Sequence, residues 1–166
     1  MSLFNWLVSK TIMHVPGSIV GLFAKGYIAG EELKDAVRVT RDFNRQGIMA
    51  TIDILGEFIK TKDEATYFKN QCLDILQTIY DEGLDANLSM KPTQMGLLLD
   101  KEFAFANIRE IVEKAAELDN FVRIDMEDIE CTDATIECYR QLRDDYPQHV
   151  GLVLQAYLRR TARDVE

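Results

Sequence analysis

Residues 48–55 read Ile-Met-Ala-Thr-Ile-Asp-Ile-Leu, a β-rich apolar run with a single charged residue. Three more runs of this kind follow along the chain: Ala86–Met90, Phe121–Asp125 and Val150–Gln155. Longer segments of helical period separate the runs at a regular interval. This alternation predicts βα units joined by right-handed crossovers, and therefore a parallel sheet.

The segments between the runs carry apolar side chains on one helical face. After the first run, the side chains on that face are Phe68, Cys72, Ile75, Leu76 and Ile79. Gly83 is predicted to end this helix, and Thr132 is predicted to cap the start of the helix before the last run. Residues 30–47 have the same period and predict a further helix ahead of the first run.

This pattern divides the chain into an N-terminal helical segment, residues 1–47, and a unit of about four βα repeats, residues 48–166. Two α/β architectures fit four such repeats: an open doubly wound sheet, or part of a (β/α)₈ barrel. A closed barrel typically takes about 250 residues. Four repeats therefore do not close a barrel by themselves.

Composition limits the classes of partner. The 166 residues hold 19 Lys and Arg against 28 Asp and Glu, for a net charge of −9. No basic stripe offers itself to a phosphate backbone, so nucleic acid is not expected as a partner. Three widely spaced cysteines and two histidines predict neither disulfides nor a metal site. The apolar stretch of residues 11–24 is too short to cross a bilayer, and we expect a cytoplasmic protein with reduced, buried thiols.

Polar residues recur where the predicted strands end. Parallel strands are buried on both faces, so polar side chains are costly unless they reach the rim of the sheet, where ligands bind. The residues in this position are Asp53, Lys91, Asp125 and Gln155, with Glu57 and Glu127 extending the set. One cation, several carboxylates and an amide suit a small ligand that bears both an amine and a carboxylate.

Each of these residues also has a structural interpretation. Asp53 could cap the following segment, Lys91 could be an exposed turn residue before a proline, and Asp125 could pair with Arg123. The Gln155 amide has no evident structural role. Motifs of nucleotide-binding loops and of serine or cysteine nucleophiles are absent from the sequence. Spacing alone therefore predicts a site without naming its chemistry.

At these residues the chain resembles the proline dehydrogenase family, FAD-dependent (β/α)₈ barrels that oxidise proline. The matching stretches are Tyr27–Glu31, Thr51–Glu57, Leu88–Gly96, Val122–Glu127 and Leu154–Thr161. They occur in the order and at the spacing of the family and cover nearly the whole chain from residue 27. The resemblance implies the TIM-like barrel rather than the open sheet.

The resemblance also implies roles for single residues. Lys91 would hold the carboxylate of proline, and Asp125 would lie beside its amine. Glu57 would be the acidic partner of an arginine gate over the site, and Gln155 would hydrogen-bond the flavin ring of FAD. The family reaction moves a hydride from the ring carbon next to nitrogen to the flavin and gives pyrroline-5-carboxylate. Electrons then pass to a quinone in the membrane, which implies a possible peripheral membrane association.

The resemblance covers the first half of the family barrel. The second half supplies further FAD contacts, a tyrosine and a pair of arginines that clamp the substrate, and Arg159 and Arg160 do not correspond to that pair. We therefore expect a truncated, split or deliberately shortened enzyme that is inactive alone and that associates with itself or with a complementing C-terminal half.

Two other functions fit the residues. In one, Lys91 forms a Schiff base with a carbonyl substrate and Asp125 acts as acid and base, as in barrel aldolases. In the other, the chain is a non-catalytic half-barrel whose open strand edges pair with another copy or with a missing half.

Overall fold

A parallel sheet with helices between its strands makes up most of the computed structural model, which describes residues 29–30, 32–56 and 59–166. The elements follow the order predicted from the sequence. In chain order they are α1 (Leu33–Asn44), β1 (Ala50–Asp53), α2 (Lys62–Asp81), β2 (Ala86–Met90), α3 (Lys101–Glu117), β3 (Val122–Ile124), α4 (Thr132–Asp145), β4 (Val150–Leu152) and α5 (Thr161–Asp164).

The chain divides into two compact units, Met1–Val39 and Thr40–Glu166. Within the first, Arg38 donates to the carbonyl oxygen of Ala29 at 3.3 Å. The second contains the whole sheet. The boundary expected near residue 47 stays a prediction. The helical segment expected before residue 29 lies outside the described residues.

The order of the strands distinguishes between the two predicted architectures. The four strands lie in the order β1-β2-β3-β4, and every neighbouring pair is parallel. A doubly wound sheet reverses direction at a switch point, whereas a (β/α)₈ barrel adds each strand on the same side of the one before. The described sheet does not reverse, which is the order of a barrel.

The two faces of the sheet differ in polarity. Side chains alternate between faces along a strand, and the strand register places the residues of each face in rows. One row of buried apolar residues holds Ile52, Leu88, Val122 and Val150, and the next residue along each strand gives the row Asp53, Ser89, Arg123 and Gly151. The helices pack on the apolar face, and the inner face of the half-barrel is polar.

The helices α2, α3 and α4 confirm the predicted periodicity. The buried residues of α2 include Cys72, Ile75, Leu76 and Ile79. Gly83 ends this helix as predicted, with a φ of 57° and a hydrogen bond from the Leu84 N–H to the Ile79 carbonyl. This positive φ favours glycine, because a side chain there would crowd the backbone.

The predicted N-cap of α4 is wrong. Cys131 occupies the cap position and makes no side-chain capping bond, while Thr132 is the first residue of the helix. The chain enters α4 from a turn in which the Cys131 N–H donates to the Asp128 carbonyl. The Thr132 hydroxyl points back to that same carbonyl, at 3.4 Å, and is not available to cap the helix.

Three strands are shorter than the apolar runs that predicted them. Strand β1 ends at Asp53, and Leu55, two residues later, is 87% exposed. Strand β4 ends at Leu152, so Gln155 lies in the loop beyond it. Both β1 and β4 pair with one neighbouring strand in the described sheet. Backbone hydrogen bonds to a neighbour therefore fix each of these edge strands along one side only.

None of the described helices has the length and apolar composition needed to cross a bilayer.

Leu88 tests the packing, because β2 lies between two other strands and the Leu88 side chain is fully buried. We expect Leu88→Ala to lower the free energy of unfolding by about 2–5 kcal/mol, because the shorter side chain leaves a cavity in the core. Leu99→Ala is the matched control, since Leu99 is 42% exposed and should change stability by less than about 1 kcal/mol. Urea unfolding of both variants measures the difference, and equal effects would contradict the assigned core.

Candidate active site

A lysine ammonium lies between two carboxylates at the carboxyl end of the sheet. Lys91 directly follows β2, and its Nζ donates to Asp53 Oδ2 at 2.8 Å. Asp125 directly follows β3, and its Oδ2 lies 3.9 Å from the same Nζ. The Lys91 side chain is 16% exposed. The structure thus brings together three of the polar residues that the sequence placed at strand ends.

These contacts argue against the purely structural roles considered for Asp53, Lys91 and Asp125. Thr61, rather than Asp53, caps the helix after β1, with its hydroxyl oxygen accepting from the Glu64 N–H at 3.2 Å. Lys91 is mostly buried rather than an exposed turn residue. The described ion pair of Asp125 is with Lys91.

Asp125 is fixed from a second side. Its Oδ1 accepts a hydrogen bond from the Ser89 hydroxyl at 2.8 Å, and Ser89 is buried in β2. One carboxylate oxygen is therefore held by the strand, while the other faces the ammonium. Because Ser89 belongs to β2, its hydroxyl has a fixed position and holds the Asp125 carboxylate in one orientation.

The charges around Lys91 keep it protonated. Burial alone lowers the pKa of a lysine, but the hydrogen bond and the charge of Asp53, with the charges of Asp125 and Glu127, outweigh burial and raise the pKa of Lys91 above its ordinary value of 10.5. The group is thus an ammonium at neutral pH. This disfavours the Schiff-base interpretation, because a nucleophilic lysine needs a lowered pKa.

A cavity of about 470 Å³ opens beside this cluster. The residues that line it include Lys91, Asp125, Glu127, Cys131 and Gln155. The volume is within the range of small-molecule sites. The residues that the sequence singled out after β2, β3 and β4 therefore share one cavity.

Glu127 lines the cavity, but its carboxylate is already bonded. Its Oε2 accepts from the Thr93 N–H at 2.8 Å and its Oε1 from the Thr93 hydroxyl at 2.6 Å. Both oxygens thus join the loop after β2 to the loop after β3. Glu127 belongs to the predicted set, yet it bridges two loops rather than facing a ligand.

Gln94 ties the same loop to the segment after β1. Its side-chain amide donates to the carbonyl oxygens of Ile54, at 2.8 Å, and Gly56, at 2.6 Å, and the residue is fully buried. A Cβ on Gly56 would lie 2.7 Å from the Phe68 ring, so this close approach requires glycine. Glu57, predicted as a gate residue, lies outside the described residues.

Gln155 has a structural partner that the sequence did not indicate. Its side-chain amide donates to the carbonyl oxygen of Met126 at 2.9 Å, which joins the loop after β4 to the loop after β3. The side chain remains on the cavity wall.

The cysteines are free and buried, as predicted. Burial, and secondarily the charge of Asp53, raises the pKa of Cys72 to about 12. Burial also raises the pKa of Cys131 on the cavity wall, with the neighbouring carboxylates adding to the shift. The thiols of Cys72 and Cys131 are therefore protonated at neutral pH and are poor nucleophiles.

Sequence reasoning missed the residues that hold the charged groups in place. Ser89, Thr93 and Gln94 each bond a residue at least 34 positions away along the chain. A hydroxyl inside an apolar strand was an available signal for Ser89. Nothing in the local sequence pairs Thr93 with Glu127.

The raised pKa of Lys91 predicts a pH dependence of stability. A pKa that is higher in the folded state means that the ion pairs of Lys91 stabilise fully below about 10.5, the unfolded value, and lose their effect as pH rises through the folded value. The difference in unfolding free energy between the original chain and Lys91→Met should therefore be constant from pH 7 to 10 and shrink above it.

Urea unfolding across that pH range measures this difference. Lys34→Met is the control, because the Lys34 side chain is 75% exposed and should show a small difference throughout. A difference for Lys91→Met that grows above pH 10 would contradict the assigned ion pairs.

Comparison with known proteins identifies the family. The family model described as proline dehydrogenase matches residues 36–166. Proline dehydrogenase 1 of Bacillus subtilis subsp. natto is 38% identical over 145 residues, which cover 87% of this chain and 48% of that protein. Proline dehydrogenase of Deinococcus radiodurans is 32% identical over 145 residues, covering 85% and 47%. The chain spans about half the length of the curated relatives it matches.

Solved structures share the fold. Proline utilization A from Bdellovibrio bacteriovorus, inactivated by N-propargylglycine, superposes with a TM-score of 0.80 at 23% identity, over 90% of this chain and 19% of that one. A proline utilization A of Bradyrhizobium japonicum superposes with a TM-score of 0.66 at 17% identity, over 82% and 16%. The predicted TIM-like architecture is confirmed. With the family model covering most of its length, this chain belongs to the proline dehydrogenase family.

Proposed function

We propose that this chain carries the substrate-recognition half of an FAD-dependent proline dehydrogenase site, which oxidises L-proline to pyrroline-5-carboxylate. The observation that carries the proposal is the 3.9 Å separation of Lys91 Nζ and Asp125 Oδ2. This distance exceeds a hydrogen bond. An adjacent cation and carboxylate with this spacing complement the carboxylate and ammonium of an α-amino acid.

Each charged group has one task in this proposal. Asp53 occupies one N–H of the Lys91 ammonium and leaves the others for the substrate carboxylate. Asp125, held by Ser89, faces the substrate nitrogen with its Oδ2. Asp125 Oδ2 accepts a hydrogen bond from the substrate N–H and so orients the nitrogen beside the C–H bond that gives up its hydride.

FAD supplies the hydride acceptor when it is bound. Gln155, Met126 and Val153 offer an amide and apolar side chains on one wall of the cavity, which suits the edge of a flavin ring. The phosphates of FAD fit the cavity poorly, since Lys91 is the one cation among the described residues that line it and already faces two carboxylates. Residues outside the cavity would hold the phosphates.

The remaining parts of the proposal concern partners. Four strands supply half of an eight-stranded barrel, and β1 and β4 each have one neighbour in the described sheet. Strands from a complementing half, or from a second copy, would pair with these edges. Glu57 would then pair with an arginine of the complementing half, and a membrane quinone would reoxidise the flavin.

A chimera of this chain with the remaining half of Bacillus subtilis proline dehydrogenase 1 tests the site. Lys91→Met and Asp125→Asn should each lower kcat/KM for proline by about 30- to 700-fold, the equivalent of about 2–4 kcal/mol for a broken buried charge pair. Flavin content should stay the same in both, because neither side chain is assigned to the cofactor. Gln155→Ala should instead change the flavin spectrum or occupancy.

Matched controls are Lys34→Met and Asp144→Asn, which change the same residue types at exposed positions and should leave kcat/KM within about twofold. Normal turnover of proline by Lys91→Met and Asp125→Asn would show that these strand-end residues are structural.

A further prediction concerns residues 1–166 expressed by themselves. A cofactor site buries most of its ligand among converging groups, and four strands provide part of such a site. The purified chain should therefore hold less than stoichiometric FAD, show no proline oxidation, and sediment as a dimer or larger species through its strand edges. A compact yellow monomer that turns over proline would contradict the proposal that further strands are needed.

A further inference from the structure

The hydrogen-bond ladder between β2 and β3 stops next to the charged cluster. Its last bond runs from the Asp125 N–H to the Met90 carbonyl at 2.9 Å. Two residues after Asp125, Glu127 accepts both hydrogen bonds of Thr93, which lies three residues after Met90. A carboxylate thus continues the pairing of the two chains where backbone bonds end.

These bonds close a short ring. One side of the ring is Met90–Thr93, the other is Asp125–Glu127, and hydrogen bonds join them at both ends. The ring contains Lys91 and Asp125, and the Glu127 carboxylate closes it. Pro92 is buried and fixes its own φ, and Met126 is 6% exposed. Little freedom is left to either segment.

The two hydrogen bonds between Thr93 and Glu127, which close the ring at the end away from the strands, are strong. Hydrogen bonds to an ionised carboxylate are shorter and about twice as strong as those between neutral groups, and the distances here are 2.8 and 2.6 Å. Because both Glu127 oxygens bond Thr93, the carboxylate does not face the cavity as a ligand. Besides the charge it adds near Lys91, Glu127 therefore acts on the site by fixing the two loops that it joins.

We propose that Thr93 and Glu127 are a pair of positioning residues that fix the spacing between Lys91 and Asp125, and through it the distance between carboxylate and amine that the site accepts. This inference rests on the proposed function. Without the pair, the loops after β2 and β3 separate, and the site should accept amino acids whose two charged groups lie farther apart.

The chimera described above tests the selectivity. Thr93→Val keeps the shape and the N–H of the residue but removes the hydroxyl. It should raise KM for proline by about tenfold or more, with kcat changed less than threefold. It should also lower the preference for proline over pyrrolidine-3-carboxylate by a similar factor, where the affinity for pyrrolidine-3-carboxylate is measured from its competitive inhibition. Thr93→Ser should restore both values, and Thr93→Val should add little to Glu127→Ala.

A second measurement on the 166-residue chain does not depend on activity. Competitive labelling with acetic anhydride should show the Lys91 amine at least threefold more reactive in Thr93→Val and Glu127→Ala than in the original chain or in Thr93→Ser, with Lys34 unchanged. Unchanged Lys91 reactivity overturns the positioning role, as does a chimera in which KM rises without any change in selectivity. A chimera that never oxidises proline refutes the proposed function instead, and labelling still decides the inference.

Discussion

A mostly buried ammonium group needs carboxylates around it, and the site of this protein depends on that requirement. Lys91 follows β2 and lines the cavity, with 16% of its side chain exposed. Asp53, the last residue of β1, and Asp125, the residue after β3, keep it charged. Removing either carboxylate would leave a buried charge with less compensation, which is costly in free energy. The three side chains therefore stabilise one another, and their strands must stay in register to keep them together.

The sheet meets this requirement through its two faces. Apolar residues such as Leu88 and Val122 bury one face against the helices, which fixes the strands and their register. The opposite face carries Asp53, Ser89 and Arg123 in one row. Apolar packing on the outer face thus stabilises the strand register that orders the polar side chains of the inner face. The inner side chains are then free to serve binding rather than packing, as in a barrel whose ligands enter at the carboxyl ends of its strands.

Much of this arrangement could be predicted from the sequence, because periodicity reports which face of an element is buried. The alternation predicted the parallel sheet, and the strand ends predicted the meeting of Asp53, Lys91 and Asp125. The bonds that orient these groups could not be predicted, since Ser89 and Thr93 find partners in segments far away along the chain. The N-cap of α4 also escaped prediction: Thr132 has the right chemistry for an N-cap, but its hydroxyl points to the Asp128 carbonyl of the preceding turn.

The most direct test of this account is the binding of proline and prolinamide to the chimera and to its Lys91→Met variant. Prolinamide keeps the amine but lacks the carboxylate that Lys91 is proposed to hold. We expect Lys91→Met to weaken the binding of proline by about 30-fold or more and to leave the binding of prolinamide within about twofold. Equal weakening of both ligands would contradict it, because Lys91 would then support the site without recognising the carboxylate.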